Sequence, residues 1–322
     1  MTRLVRLLAV LLVLQLVLVF GLNQIQPGLS VPSPQTLLIT SGDAEINQLT
    51  IEDADGVQLS LRKSDGAWII PDDDNFPADQ EKVERFIEKL LALERGLPIG
   101  TTPGSLQRFM VEENNFERRI ALYSDEVPVA EIFLGTSPRA RMAHARSSQD
   151  TSVFEIKIAT YEAPVESKEW QDANVVQVPY LDIDAIVLPG LINLVRNRPP
   201  DSGASTNADT ALIEELWSSP ELGPGESIQQ ESADTLAKKI SVLRIIDVLG
   251  KDMKEIYQLT PPKLTLVIET INDDTVVYEI GTIDGEEDYV LKASTRPEYF
   301  LVPSYLIESL IEAVDRDAIV IK

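Results

Sequence analysis

The stretch Ile46-Asn-Gln-Leu49-Thr-Ile51-Glu-Asp53-Ala-Asp55-Gly56-Val57-Gln-Leu59-Ser-Leu61-Arg-Lys-Ser-Asp65-Gly66-Ala-Trp68-Ile69-Ile70 decides the fold. Apolar and polar residues alternate along it, the period of a strand that buries one face. Asp55-Gly56 and Asp65-Gly66 punctuate the alternation. Asp-Gly pairs adopt the left-handed conformations that two-residue hairpin turns require. The stretch therefore predicts a β-meander over 46–70. The pattern then changes period. Val83, Phe86, Ile87, Leu90 and Leu91 recur at helical spacing, which predicts a helix over 79–94 that opens at Asp79 and stops at Gly96. Strands are predicted near 117–123, 128–134, 141–147 and 152–158. The fold class is α+β.

The second half follows the same order. Trp217-Ser-Ser-Pro220 echoes Trp68-Ile-Ile-Pro71, and Ala233-Asp234 echoes Ala78-Asp79 as a helix opening. That second helix is predicted to carry Ile240, Leu243, Ile245, Ile246 and Leu249 and to end at Gly250. Val276 to Gly281 matches Val129 to Gly135 in pattern, and Phe300 stands where Phe154 does. Asp182-Ile-Asp-Ala-Ile-Val-Leu188 and Asp315-Arg-Asp-Ala-Ile-Val-Ile321 are both predicted as strands. An ordered series of echoes indicates duplication. The expected organisation is an anchor (1–22), a stalk (23–44) and two tandem related units (45–165 and 175–322). Each unit is an antiparallel sheet with one main packed helix. Pro199-Pro200 and the small polar residues up to Asp209 predict a loop in the second unit.

Arg3 and Arg6 precede an apolar run from Leu7 to Leu22 that only Gln15 interrupts. From Leu4 the run is about 19 residues, or about 28 Å of helix, enough to cross a hydrocarbon core. The run ends Val19-Phe20-Gly21-Leu22 without an Ala-x-Ala cleavage pattern, so an uncleaved signal-anchor is expected. The two arginines place the N-terminus in the cytoplasm and the body outside it, with membrane lipid held by residues 4–22.

The 322-residue chain has a net charge of −24 and a pI near 4.4. The segment 1–22 holds two arginines and no acid, so the body carries −26. That excess disfavours nucleic-acid binding, which needs cations to displace counterions. No cysteine is present, which excludes disulfides, thiolate metal sites, cysteine nucleophiles and a lipidated N-terminus. His144 is the single histidine, so no site can be built on two. No cofactor and no metal are expected.

Trp68, Pro77-Ala78-Asp79 and Gly135, with the weaker set Trp217, Ala233-Asp234 and Gly281, give the chain a resemblance. It resembles the bacterial domain-of-unknown-function family 4340. Members have an N-terminal membrane helix, a strand pair, a Trp ahead of a Pro-Ala-Asp-like helix start, and a strand-rich segment ending in Gly. Members are often encoded beside ABC-type transport components related to gliding-motility systems. The resemblance therefore implies an auxiliary role in envelope export or transport, and it carries over no catalytic residue.

Several residues invite a chemical reading. Asp72-Asp73-Asp74-Asn75 could present oxygens to Ca²⁺, or could sit as acids ahead of a helix N-terminus. Asp53-Ala-Asp55-Gly56 resembles part of a calcium loop, but its first and twelfth positions would be Ile51 and Arg62, so it is read as a turn. Asp284 to Asp288 is an acidic turn. Trp68, Trp217 and Tyr161 could be glycan platforms if exposed, while the repetition of the tryptophans favours packing. Arg139, Arg141, His144 and Arg146 are the one basic cluster. On an alternating strand Arg139 and Arg141 share one face, and His144 and Arg146 the other. The cluster is a candidate docking site for an acidic partner or phosphate, against ordinary cross-strand pairing with carboxylates.

The expected function is a non-catalytic, membrane-anchored, extracytoplasmic accessory protein, auxiliary to an ABC-type transport or envelope assembly. The alternatives are a surface hydrolase using two carboxylates or a glycan-binding module. On the anchored reading, alkaline carbonate extraction leaves the full chain in the membrane pellet with its first residues retained. A carbonate-soluble product beginning near Asn23 contradicts it.

Overall fold

Alternating apolar residues pair as antiparallel strands because that arrangement buries one face and satisfies the backbone. The computed structural model describes residues 15, 36–42, 44–198 and 216–322. The apolar run apart from Gln15, residues 23–35, Asp43 and residues 199–215 lie outside the described residues; the rest of the expected stalk is not a free spacer, since Thr36 and Leu37 pair with Arg95 and Glu94 and Leu38 and Ile39 are buried. Among the described residues no helix is long and apolar enough to cross a membrane. The architecture is mixed α+β with two sheets of eight strands, and every described pairing is antiparallel. Two compact units divide the chain: 1–66 with 81–165, and 67–80 with 166–322.

In the first unit, β1 (Gln48–Asp53) and β2 (Gln58–Ser64) form the expected hairpin. Leu49 lies opposite Leu61 and Ile51 opposite Leu59, all four buried. Asp65 and Gly66 both have positive φ, +50° and +84°, as a primed turn demands. They lead into β3 (Ala67–Ile70) and then β4 (Phe76–Pro77), which pairs with it. Helix α1 (Gln80–Leu91) buries Val83, Phe86, Ile87 and Leu90. The short helix α2 (Pro103–Phe109) follows, then β5 (Arg118–Ser124), β6 (Val127–Leu134), β7 (Ala143–Ser147) and β8 (Phe154–Ile156). The first unit's strands run β8-β7-β6-β5-β1-β2.

The second unit contains β9 (Ile183–Leu188), β10 (Ile192–Asn197), β11 (Leu216–Ser218), β12 (Ser227–Ile228) and α3 (Gln230–Ser241). It continues with β13 (Asp247–Gly250), β14 (Leu264–Thr270), β15 (Thr275–Thr282), β16 (Tyr289–Ala293) and β17 (Tyr299–Val302). Its sheet runs β11-β10-β9-β14-β15-β16-β17-β13. The run β17-β16-β15-β14-β9-β10 thus has the order of β8-β7-β6-β5-β1-β2.

The segment 67–80, read from the sequence as part of the first unit, belongs with the second. The Asp79 amide donates to the Trp170 carbonyl at 2.8 Å, and the Asp172 amide to the Pro77 carbonyl at 2.9 Å. Phe76 enters the second unit's core, its ring centroid 6.3 Å from that of Phe300.

Other expectations need correction. Helix α1 ends at Leu91, well before Gly96. Helix α3 begins at Gln230, so Ala233-Asp234 lies inside it, and the true register sets Gln230 against Gln80. In that register Val83, Phe86, Ile87 and Leu90 correspond to Ala233, Leu236, Ala237 and Ile240, and all eight are buried. Helix α3 stops at Ser241, leaving Ile246 exposed. The expected final strand is mostly the helix α5 (Arg316–Ile319), because Asp315 accepts from the Asp317 amide at 3.1 Å and turns the chain. Only β18 (Val320–Ile321) remains extended, paired with β12. A further helix, α4 (Ser304–Ala313), buries Ile307 and Leu310, so this unit packs more than one.

Two local devices occur in both halves of the chain. The Gln80 side chain accepts from the Trp68 amide at 2.6 Å and donates to the carbonyls of Trp68 (2.9 Å) and Ala78 (2.7 Å). Gln230 accepts from the Trp217 amide at 2.6 Å and donates to Trp217 (2.8 Å) and Ile228 (3.3 Å). The second device is a close backbone approach. A Cβ on Gly135 would lie 1.9 Å from the Phe109 carbonyl oxygen, and one on Gly281 2.0 Å from that of Tyr257. In each case the approaching chain turns through a left-handed residue, Met110 at φ +55° and Gln258 at φ +44°. Backbone cannot yield as a flexible side chain would. Gly135→Ala or Gly281→Ala is therefore expected to cost about 3 kcal/mol in urea unfolding, the upper part of the overpacking range. Gly104→Ala, whose added methyl meets open space in α2, is expected to leave the midpoint unchanged or raise it.

Candidate functional site

The basic cluster divides where the strand begins. Residues 138–141 form a bend and turn, with Arg141 at φ +60°, and β7 starts only at Ala143. Arg139 and Arg141 are exposed, whereas His144 and Arg146 are buried. The four therefore do not make one surface.

Arg146 is structural. Its guanidinium donates Nε to the Val111 carbonyl at 2.7 Å and an Nη to the Asp150 carbonyl at 3.2 Å, and lies 4.6 Å from the Phe133 ring centroid. Burial lowers its pKa from the ordinary arginine value. His144 is 8% exposed. Its Nδ1 is 2.8 Å from the Thr136 hydroxyl, and its ring centroid is 4.3 Å from that of Phe109. Burial also lowers its pKa, only partly opposed by the nearby Glu155 carboxylate.

Arg139 and Arg141 instead join two lysines far away in sequence. With Met142 and Tyr161 they border a depression of about 600 Å³ that also takes in Lys89, Lys157 and Glu162. Lys89 pairs with Glu162, and Arg139 lies 3.6 Å from Glu155. Arg141 and Lys157 make no ion pair among the described residues. Tyr161 is 68% exposed at the rim. Four cations around two carboxylates is a local reversal of sign in a body that carries −26. Such a concavity attracts carboxylate or phosphate. Lys89 sits in α1's last turn and Lys157 just beyond β8. No spacing rule on the sequence joins either to Arg139.

The acidic stretch 72–75 is otherwise arranged. Asp73 accepts from the Gln171 side-chain amide at 2.9 Å, and Asp74 pairs with Lys251 at 3.0 Å. These acids line a cleft of about 690 Å³ in the second unit, together with Phe76, Asp247 and Glu298. They engage different partners rather than one centre. Among the described residues no group of three or more His, Cys, Asp or Glu could hold a metal ion. Asp53 accepts from the amides of Asp55 (3.0 Å) and Val57 (2.9 Å), closing the turn read from the sequence. Trp68 and Trp217 are 2% and 4% exposed, so neither is a platform for sugar.

Fold and site together define an antiparallel α+β scaffold with a depression on its first unit lined by more cations than carboxylates. More particularly, residues 68–262 match the family model described as Domain of unknown function (DUF4340), more than half of the chain, and the chain belongs to that family. No curated protein matches the chain, and no solved structure matches it.

The lowered imidazole pKa has a signed consequence. The folded state disfavours the imidazolium, so the stabilisation from neutral His144 is complete above the ordinary value near 6.5. It is lost as the pH falls through the lowered folded value. His144→Val, which installs the residue found at the corresponding position, Val290, is expected to flatten that part of the stability profile. Urea midpoints of both proteins from pH 7.5 downward read the difference.

Proposed function

We propose that this protein is a non-catalytic, membrane-anchored accessory subunit, duplicated in its body, that serves an ABC-type transport or envelope assembly from outside the cytoplasm. The observation that carries the reading is what the corresponding positions of the two halves do. Trp68 and Trp217, Gln80 and Gln230, and Gly135 and Gly281 are all bonded or packed internally. Residues that recur in this way specify a scaffold and leave chemistry to a partner. The apolar N-terminal run supports the anchor, and membership of the family supports the transport context through the genomic company that its members keep.

On this reading the depression between Lys89, Arg139, Arg141 and Lys157 is where an acidic group of the membrane partner docks. Charge governs such an encounter more through rate and orientation than through raw affinity. The test is crosslinking in intact cells, followed by purification of the full chain in detergent. A transport component is expected with the natural sequence, and recovery several-fold lower is expected with Arg141→Glu combined with Lys157→Glu. Repeated purification without any membrane protein, or recovery that ignores the charge reversal, counts against the proposal.

A further inference from the structure

The loop Gly96-Leu97-Pro98-Ile99-Gly100-Thr101-Thr102 contains no charge, in a chain of which 25% is charged. Leu97 is 75% exposed and Ile99 41%, and no large apolar side chain among the described residues is more exposed than Leu97. The loop stands on a firm base. Arg95 pairs with Asp150 at 2.5 Å and lies 5.0 Å from the Phe154 ring centroid. The Ile99 amide donates to the Val153 carbonyl at 2.8 Å, and the Val153 amide to the Gly100 carbonyl at 2.8 Å. In the second unit, the stretch after β13 is Lys251-Asp252-Met253-Lys254-Glu255, charged at every position but Met253. The lack of charge is thus specific to the first unit's stretch.

The base of that loop also pairs with the chain that follows residues 23–35. Thr36 pairs with Arg95 and Leu37 with Glu94. The stretch 23–35 separates Leu22, the end of the apolar run, from Thr36. A chain of that length spans at most about 45 Å fully stretched, and about 20 Å as a coil. The tether therefore ends beside Arg95, the immediate neighbour of Gly96. The surroundings are suited to a phospholipid surface as well. Gly96 shares a hollow of about 460 Å³ with Lys89, Arg95 and Lys157 and with Glu94 and Glu155, so cations outnumber carboxylates where the loop emerges from an otherwise acidic body. A border of the opposite balance would be repelled by anionic head groups.

We infer that Leu97 and Ile99 insert into the bilayer interface next to the anchor and fix the first unit against the membrane. The occupant of this apolar tip is lipid, at the depth of about 5–10 Å typical of interfacial apolar side chains. The inference rests on the anchored reading of residues 1–22, and the experiment separates the two.

The absence of cysteine makes single-site labelling clean. The full chain is reconstituted into phosphatidylcholine–phosphatidylglycerol vesicles as Leu97→Cys, Tyr161→Cys or Met253→Cys, each carrying an environment-sensitive fluorophore. Tyr161 and Met253 are exposed controls, one in each unit. The label at 97 is expected to be quenched several-fold more by nitroxide-bearing lipid than either control. Adding Ile99→Asp is expected to reduce that quenching while flotation and circular dichroism stay unchanged. Equal lipid quenching at all three positions overturns the insertion. So does a label at 97 shielded from aqueous iodide yet untouched by lipid nitroxide, which marks a protein contact instead. A chain that fails to float after carbonate washing overturns the anchored reading and the insertion with it. One that floats with position 97 unquenched overturns the insertion alone.

Discussion

Each half of the chain depends on one amide side chain at the first turn of its long helix. Trp68 and Trp217 sit on short strands, and in each the backbone amide donates to a glutamine side chain. A primary amide offers a donor and an acceptor side by side, so it can do what a neighbouring peptide would do. Glutamate could not donate, and asparagine is one methylene shorter. In the second unit the bond ties the first residue of α3 to β11, ahead of the turn from which Ala233, Leu236, Ala237 and Ile240 are buried. Leaving the tryptophan amide buried without a partner would cost about 1–3 kcal/mol, a large fraction of a domain's stability.

What the sequence made legible was local. Asp65-Gly66 announced its turn because the left-handed conformation is a property of those two residues. The face of α1 was readable because burial follows the helical period. Errors arose where identical letters stood in for identical positions. Ala233-Asp234 looks like Ala78-Asp79, yet the helices align through Gln80 and Gln230, which passed as ordinary polar helix residues. Asp315 to Ile321 copies Asp182 to Leu188 in letters, but at the later site Asp315 caps a helix. The basic cluster failed for a related reason. Strand alternation cannot be extended through Arg141, whose backbone is left-handed, and Lys89 and Lys157, which complete the depression, come from other elements.

Charge acts at two levels in this molecule. Single pairs on strands, such as Arg119 between Glu131 at 2.6 Å and Glu52 at 3.4 Å, set register more than stability, since half-exposed ion pairs contribute about 1 kcal/mol or less. The surplus of acid acts collectively, keeping the body soluble and away from anionic surfaces. Against that field, a concavity whose Arg141 and Lys157 have no ion pair among the described residues is a place of reversed sign.

The differences between the units therefore carry more functional information than their likeness. Positions that agree, the glutamine clamp and the glycine approach, are explained by packing. Positions that disagree show where the units part. Val290 completes a small apolar cluster with Tyr257 and Ile283, whereas His144 places a polar ring at the corresponding position of the first unit. Beside it the first unit has its cationic depression and its uncharged loop, while the second has a charged connection and an acid-lined cleft. On the anchored reading, a chain that enters at the first unit gives that unit lipid as a neighbour and imposes no such neighbour on the second. The uncharged loop and the depression whose Arg141 and Lys157 make no ion pair among the described residues both lie in the unit where that setting gives them a use.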